Sequence, residues 1–577
     1  MLTTIYKIGD IPHAEHPRPQ MRREGCVCLN GKWDFAKTKV NEIPESFDGQ
    51  ILVPFSPETA SSGLPAGFVL GNDEKLVYHR TFVIDSAIIT GTVLLHFDAV
   101  DQECDVYVNG THVTHHRGGY TAFCADVSDT IKVGENELTV EITDTTERSH
   151  GARGKQSSHR GGIWYTAQSG IWQSVWLEYM PQNHIKSLRI STDAAKKEVN
   201  IFADFEGVQT ITVYDGEQKI IEKSFDQKQI TLMYDFELWS PENPKLYDVK
   251  ITADDDIVYS YFGVRSFSIG NDNNGTPRLL LNGKPYFLNG VLDQGYWPEG
   301  LLTYPSDEAA LDELKMLKDM GFNFIRKHIK IEPLRWYYHC DRLGLIVWQD
   351  FVSGGGEYKF SHVAALPFLG FNHKDSNYKY FAREDQAGRE EFVSSIDETV
   401  AQLYNCTCIG GWVIFNEGWG QFDSAQMTEK LRALDDTRII DSVSGWHDQG
   451  KNVTTLRSLH TYYTPLKVPK DPRPVVLSEF GGYSMKVDGH VFCEDKEFGY
   501  KKFRTQDEYV AALRRLYLGK LKPLIGKGLC AAVYTQVSDV EEEINGLVTY
   551  DRRYIKIPVQ TMRKINDEIM RESAKIQ

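Results

Sequence analysis

The chain of 577 residues is 41% hydrophobic and 12% aromatic, enough apolar mass for about three domains with cores of their own. Its 80 acidic against 64 basic residues leave a formal charge of -16, which speaks against a nucleic-acid partner, since such proteins carry a basic face. No stretch approaches the ~18 apolar residues of a membrane span, and the start of the chain shows no apolar run behind a basic patch, so a cytoplasmic protein without a membrane partner is expected. Nine cysteines, an odd number in a large chain, suit reduced thiols better than a disulfide framework.

From Gly31 to about Tyr179 the sequence consists of short alternating runs, such as Gly31-Lys32-Trp33-Asp34-Phe35 and Cys104-Asp105-Val106-Tyr107-Val108, separated by turn residues. Period two with that punctuation predicts an antiparallel sandwich of jelly-roll type. A second block, from His184 to about Phe267, repeats the style at the size of an immunoglobulin-like sandwich. At Gly270 the pattern changes: Asn271-Asp272-Asn273-Asn274-Gly275 reads as a polar linker, and apolar runs then alternate with amphipathic helical text. The expected domains are 1–181, 182–270 and 271–577. In the last of them Ser306 caps a helix that stops near Met320-Gly321.

Candidate strands in this third block start at Tyr286, Phe322, Leu345, Trp412, Ile439, Ser458, Pro474 and Cys530. Eight strands alternating with helical or loop segments over about 300 residues predict a (β/α)₈ barrel. A doubly wound sheet would need a glycine-rich phosphate turn after its first strand, and Asn289-Gly290-Val291 does not supply one.

The fourth and seventh strands each run into a glutamate, Glu417 and Glu479. Strands four and seven face each other across a barrel mouth, so the two carboxylates are expected roughly 5 Å apart, the separation used for retaining cleavage of a glycosidic bond. Like charges that close divide into an acid and a nucleophile. Asn416 is placed to bind a sugar hydroxyl, although an asparagine there also makes a turn. Tyr462 is placed to orient the nucleophile, Arg326 to support it electrostatically with Asp350 or Glu479 as its partner, and Asp293 to meet a hydroxyl or to lie in a solvated loop. His460 ends the sixth strand. Trp348 and Tyr534 are candidate stacking platforms, with core packing as the alternative. No histidine or cysteine spacing resembles a catalytic metal site, so neither metal nor cofactor is expected.

Together these residues resemble glycoside hydrolase family 2. The resemblance rests on Gly31-Lys32-Trp33-Asp34-Phe35, Asn282-Gly283-Lys284-Pro285, Cys340-Asp341-Arg342-Leu343-Gly344-Leu345, Asn416-Glu417 and Ser478-Glu479-Phe480-Gly481, and it covers nearly the whole chain. It implies a retaining exo-acting glycosidase with Glu417 as acid/base, Glu479 as nucleophile, Asn416 on the sugar 2-hydroxyl and Tyr462 beside the nucleophile. It also implies a loop from the first domain reaching the barrel mouth, here with Arg160 and Trp164. The motifs depart from the galactosidase, glucuronidase and mannosidase branches alike. After Tyr534 the acidic stretch Ser538-Asp539-Val540-Glu541-Glu542-Glu543 would repel a uronate, so a neutral, galactoside-like substrate is expected. A mannoside, glucuronide or arabinoside, or a carbohydrate-binding protein without activity, are the alternatives. A homo-oligomer is a family-level expectation.

Overall fold

Alternating strands bury one face each, and in the first block those faces close on one another. A computed structural model describes residues 2–85, 91–148, 150–359 and 361–576. A six-stranded antiparallel sheet built around Gly31–Lys39, Glu74–Ile84 and Gly134–Thr143 packs on a four-stranded sheet that contains Thr92–Phe97 and Val175–Met180. Between them lie Trp33, Tyr78, Leu95, Val106 and Val140, all essentially excluded from solvent. A second sandwich pairs the three strands Leu188–Asp193, Glu198–Ala203 and Gln229–Met233 with a four-stranded sheet around Gln209–Asp215 and Tyr247–Ala253. Its core is Val199, Ile201, Val213, Val249 and Phe262. Among the described residues every cysteine is a free thiol.

The third block is a parallel barrel. Its strands are β1 (Leu288–Asp293), β2 (Phe324–Lys327), β3 (Ile346–Asp350), β4 (Ile409–Asn416), β5 (Ile439–Ser444), β6 (Arg457–Thr461), β7 (Val475–Gly481) and β8 (Leu529–Thr535). They are bonded in the order β5-β4-β3-β2-β1-β8-β7-β6, so the barrel is nearly closed, with the seam between β5 and β6. Most of these strands are buried along their whole length, which is why they read as apolar runs without alternation. Helix α1 (Asp307–Asp319) begins at Ser306, whose side chain accepts from the Ala309 N–H, a cap worth about 1 kcal/mol. It ends where Gly321 takes φ +84°.

The first sandwich docks on the barrel through apolar surface: its Ala99, Tyr120, Tyr165 and Trp172 belong to the barrel's own core. The segment at 150–166 is laid across the catalytic end. Arg153 and Gly154 donate backbone bonds of 3.0 Å to Ser353, just beyond β3, and the Arg153 guanidinium donates to the Gly355 and Gly356 carbonyls. Among the described residues no helix is long and apolar enough to cross a membrane.

Candidate active site

Residues at the carboxyl ends of barrel strands point either into the mouth or toward the helices, and successive residues alternate. In β2, Arg326 points inward and is wholly buried. Its guanidinium meets Asp350 of β3 through two bonds of 2.9 Å, Asn416 Oδ1 at 2.9 Å and Glu479 Oε1 at 3.1 Å. Burial opposes the charge, but the Asp350 and Glu479 carboxylates more than offset it and raise the Arg326 pKa. One cation thus fixes residues from β3, β4 and β7.

Glu417 and Glu479 are brought together by this frame. One oxygen of each, with one His460 nitrogen, all lie within 4.8 Å of one another. His460 stands between them, with Nδ1 2.7 Å from Glu417 Oε1, and Nε2 3.6 Å from Glu479 Oε1 and 3.0 Å from Ser444 Oγ. These three side chains are also the one set among the described residues with the donor types and spacing for a metal ion. Glu417 follows the end of β4 in a left-handed conformation, φ +50°, a strained backbone for a residue other than glycine.

Glu479 is 5% exposed. Burial pushes its carboxyl up, but His460, Arg326 and His328 and the Tyr462 hydroxyl together hold it below the usual range. The Tyr462 phenol donates to Glu479 Oε2 and stacks flat on Tyr500, ring centroids 3.7 Å apart. Burial and the nearby carboxylate push the Tyr462 pKa well up, so it remains a donor. Asn416 presents its Oδ1 to Arg326, which leaves Nδ2 buried without a partner among the described residues. That is the disposition of a group that donates to a ligand.

Trp164 packs on Trp419 with ring centroids 5.1 Å apart and on Tyr358 at 5.9 Å, forming an aromatic wall between the sandwich and the barrel. Arg160 lies at the rim, 41% exposed, 3.8 Å from both Glu541 and Glu542 and over the Phe492 ring.

Three expected ligands are placed elsewhere. Asp293 pairs in register with Lys327 on the outward side of the barrel and meets its ammonium at 2.6 Å; Asn289, on the same side of β1, bonds Asn566 of the last helix. Asp293 is therefore the counter-ion of a buried Lys327–Glu332–Lys330 cluster. Trp348 lies on the inward face one step below Asp350, 1% exposed, against Phe324 and over Gly411, where a Cβ would come within 2.7 Å of the indole. It forms the floor of the barrel. Tyr534 faces the helix layer, against Phe480 and Tyr517, with its hydroxyl 3.2 Å from the Tyr483 N–H. Asp350 is enclosed too: its oxygens accept from Arg326 and lie 2.7 Å from His328 Nδ1, so it positions the site without reaching a sugar.

His328 and Tyr500 join the site without having been singled out in the sequence. His328 was accessible to the argument, because it lies two residues beyond Arg326 on the same side of the chain. Tyr500 comes from an irregular segment that carries no periodic signal.

The description "Glycosyl hydrolases family 2, sugar binding domain" matches residues 27–181, "Glycosyl hydrolases family 2" matches 183–265, and "Glycosyl hydrolases family 2, TIM barrel domain" matches 275–569. A β-galactosidase of Thermoanaerobacter pseudethanolicus is 25% identical over 75% of this chain and 57% of its own length. A β-glucuronidase of Bacteroides fragilis is 24% identical over 72% of this chain and 61% of its own. The chain therefore spans about three fifths of the length of these two relatives. Among solved structures, a β-D-glucuronidase of Dictyoglomus thermophilum superposes with TM-score 0.75 at 18% identity, covering 96% of this chain and 98% of that one. A β-galacturonidase of Eisenbergiella tayi superposes with TM-score 0.68 at 17% identity over 99% of each chain. With its barrel matched over more than half of its length and both sandwiches matched in the same order, the chain belongs to family 2 of the glycosyl hydrolases.

Proposed function

We propose that the protein is a retaining glycoside hydrolase that releases a terminal sugar by double displacement. The observation that carries this reading is the approach of the Glu417 and Glu479 carboxylates to within 4.8 Å. Retaining enzymes hold their carboxyls at about 5–5.5 Å, whereas inverting ones leave about 6.5–9.5 Å for a water. Glu479, held ionised, attacks the anomeric carbon while Glu417 protonates the departing oxygen, and a covalent glycosyl-enzyme forms. Glu417 then takes a proton from water, which attacks the same carbon and releases Glu479. Asn416 Nδ2 is the donor for the hydroxyl next to the reacting carbon. Trp164, Trp419 and Tyr358 wall off one side of the mouth, which suits removal of a single terminal residue.

The acidic stretch after β8 does not argue for a neutral sugar once its partners are counted. Asp539 is bonded to Lys556 at 2.6 Å, Glu541 accepts from the Thr166 N–H, and Glu543 accepts from Tyr165 and Asn545. Similarity to both a β-galactosidase and a β-glucuronidase leaves either class of substrate consistent with the family.

The test is a panel of 4-nitrophenyl glycosides with Glu479→Ala and Glu417→Gln as controls, the first-formed anomer being read by NMR. Release of the anomer with the substrate's own configuration is expected. Inversion, or Glu479→Ala turning over as fast as wild type, would refute the mechanism. A binding protein without activity would leave the whole panel intact.

A further inference from the structure

Lys155 belongs to the segment of the first sandwich that lies across the barrel mouth. The residue is 7% exposed, with its ammonium 5.0 Å from the Trp419 ring centroid and 5.7 Å from that of Tyr165. Among the described residues no acceptor lies within hydrogen-bonding distance of Nζ, and no carboxylate oxygen comes within 4.0 Å. Its place is fixed. The Lys155 carbonyl accepts from the Tyr165 N–H at 3.0 Å, and the preceding Arg153 and Gly154 are stitched to Ser353.

A lysine enclosed this far, with no protein acceptor at its ammonium among the described residues, leaves the charge to be completed by an anion or by solvent at the mouth. Glu543 is an acidic group in electrostatic reach, but its two oxygens are already taken by Tyr165 and Asn545. The aromatic faces of Trp419 and Tyr165 hold the cation without neutralising it. Lys155 also acts on His328, which, after burial, it helps to hold below the ordinary histidine range. Glu543 follows β8 and His328 follows β2, the two strands that flank β1. Lys155 therefore lies in the mouth between the ends of β8 and β2 and the Trp419 ring beyond β4. Glu417, the group that faces the leaving oxygen, comes from β4.

We propose that the Lys155 ammonium receives the carboxylate of a terminal uronic acid, so that the preferred substrates are uronides. This rests on the glycosidase reading above. A sugar carboxylate at Lys155 pairs with the cation, whereas the hydroxymethyl group of a neutral hexose cannot.

The experiment compares 4-nitrophenyl β-D-glycosides that differ only at C6: glucuronide against glucoside, and galacturonide against galactoside. Wild type is expected to favour one uronide over its neutral twin by about 100-fold in kcat/KM. Lys155→Met keeps the alkyl stem and removes the charge. It should abolish that preference, chiefly through KM, while the neutral twin changes little, and Lys155→Arg should restore part of it. The neutral rate and the melting temperature show whether each variant is folded. Preference for the neutral twin in wild type, or an equal loss on both twins in Lys155→Met, overturns the assignment. Calorimetric binding of free glucuronate and galacturonate against glucose and galactose reads Lys155 without turnover. Discrimination that is present in wild type and lost in Lys155→Met supports the proposal even if hydrolysis fails, and absence of discrimination overturns it.

Discussion

Arg326 and Asp350 meet edge to edge, Nε and Nη2 of the guanidinium each donating a 2.9 Å bond to a different oxygen of the carboxylate. Because the remaining Nη1 and the far side of Nη2 reach Glu479 and Asn416, the orientation that Asp350 imposes is transmitted to two residues that would touch the sugar. Asp350→Asn accepts only one of the two bonds and lets the guanidinium rotate. The expected outcome is a loss of roughly 100-fold in kcat/KM, the scale of a misplacement near 1 Å. Asp350→Ala, which strands a buried cation, should in addition lower stability by about 3–5 kcal/mol in denaturant titration. Wild-type kinetics in Asp350→Asn would show that Arg326 is held well enough by Glu479 and Asn416 alone.

Asp293 separates a strand-end residue that faces the mouth from one that faces the helices. Burial pushes its carboxyl up, and Lys327 and Lys330 bring it below the ordinary value, so Asp293 is held ionised. Asp293→Asn should cost about 3 kcal/mol of stability, since a buried pair loses one charge, and should leave KM within about twofold, because no contact to a ligand is lost. A raised KM at unchanged stability would return Asp293 to the substrate.

The same contrast explains what the sequence conveys. The barrel strands are legible because burial on both faces writes them as apolar runs, and Glu417 and Glu479 are legible because a charge at the end of such a run must have a reason to be there. Which way a strand-end side chain points depends on register. In β1 the outward parity shared by Asn289, Val291 and Asp293 is set by pairing with β2 and β8, which no local pattern reports. Tyr534 turns toward the helix layer for that reason, whereas Trp348 points inward but lies at the floor, a depth that no local pattern reports. Lys155 reaches the mouth on a loop whose course is decided by docking of the first sandwich on the barrel, and Tyr500 on an irregular barrel segment held by backbone bonds at Gly482 and Glu542; neither position has a periodicity to read.

Glu417→Gln keeps the size of the side chain and removes the proton. A general acid contributes about 10²–10⁴-fold where the leaving group is a poor one. Glycosylation of the enzyme should therefore slow strongly with alkyl glycosides and little with 2,4-dinitrophenyl glycosides, whose phenolate departs unaided. Azide, a nucleophile that needs no base, should accelerate turnover of the dinitrophenyl substrate and yield a glycosyl azide of retained configuration. An equal loss across leaving groups would remove Glu417 from proton transfer and leave it a structural partner of His460, 2.7 Å away.

Tyr462→Phe isolates one hydrogen bond, since the ring remains free to stack on Tyr500 at 3.7 Å. The hydroxyl is one of the groups that hold the Glu479 carboxyl below its ordinary value against the opposing effect of burial. Removing it moves the Glu479 pKa upward. The nucleophile must be ionised, so the acidic limb of the kcat/KM profile should shift to higher pH in the variant. Stability follows with a definite sign. A carboxyl whose folded pKa lies below its unfolded one adds stability above the unfolded value, about 4.3, and loses it as pH falls through the folded value. The variant keeps less of that contribution, so the stability difference from wild type should be widest near neutrality and narrow at pH values below about 4. At the pH optimum kcat should fall by roughly 10- to 100-fold, the scale of a hydrogen bond to a charged group. An acidic limb that does not move would show that His460 and Arg326 set the state of Glu479 without Tyr462.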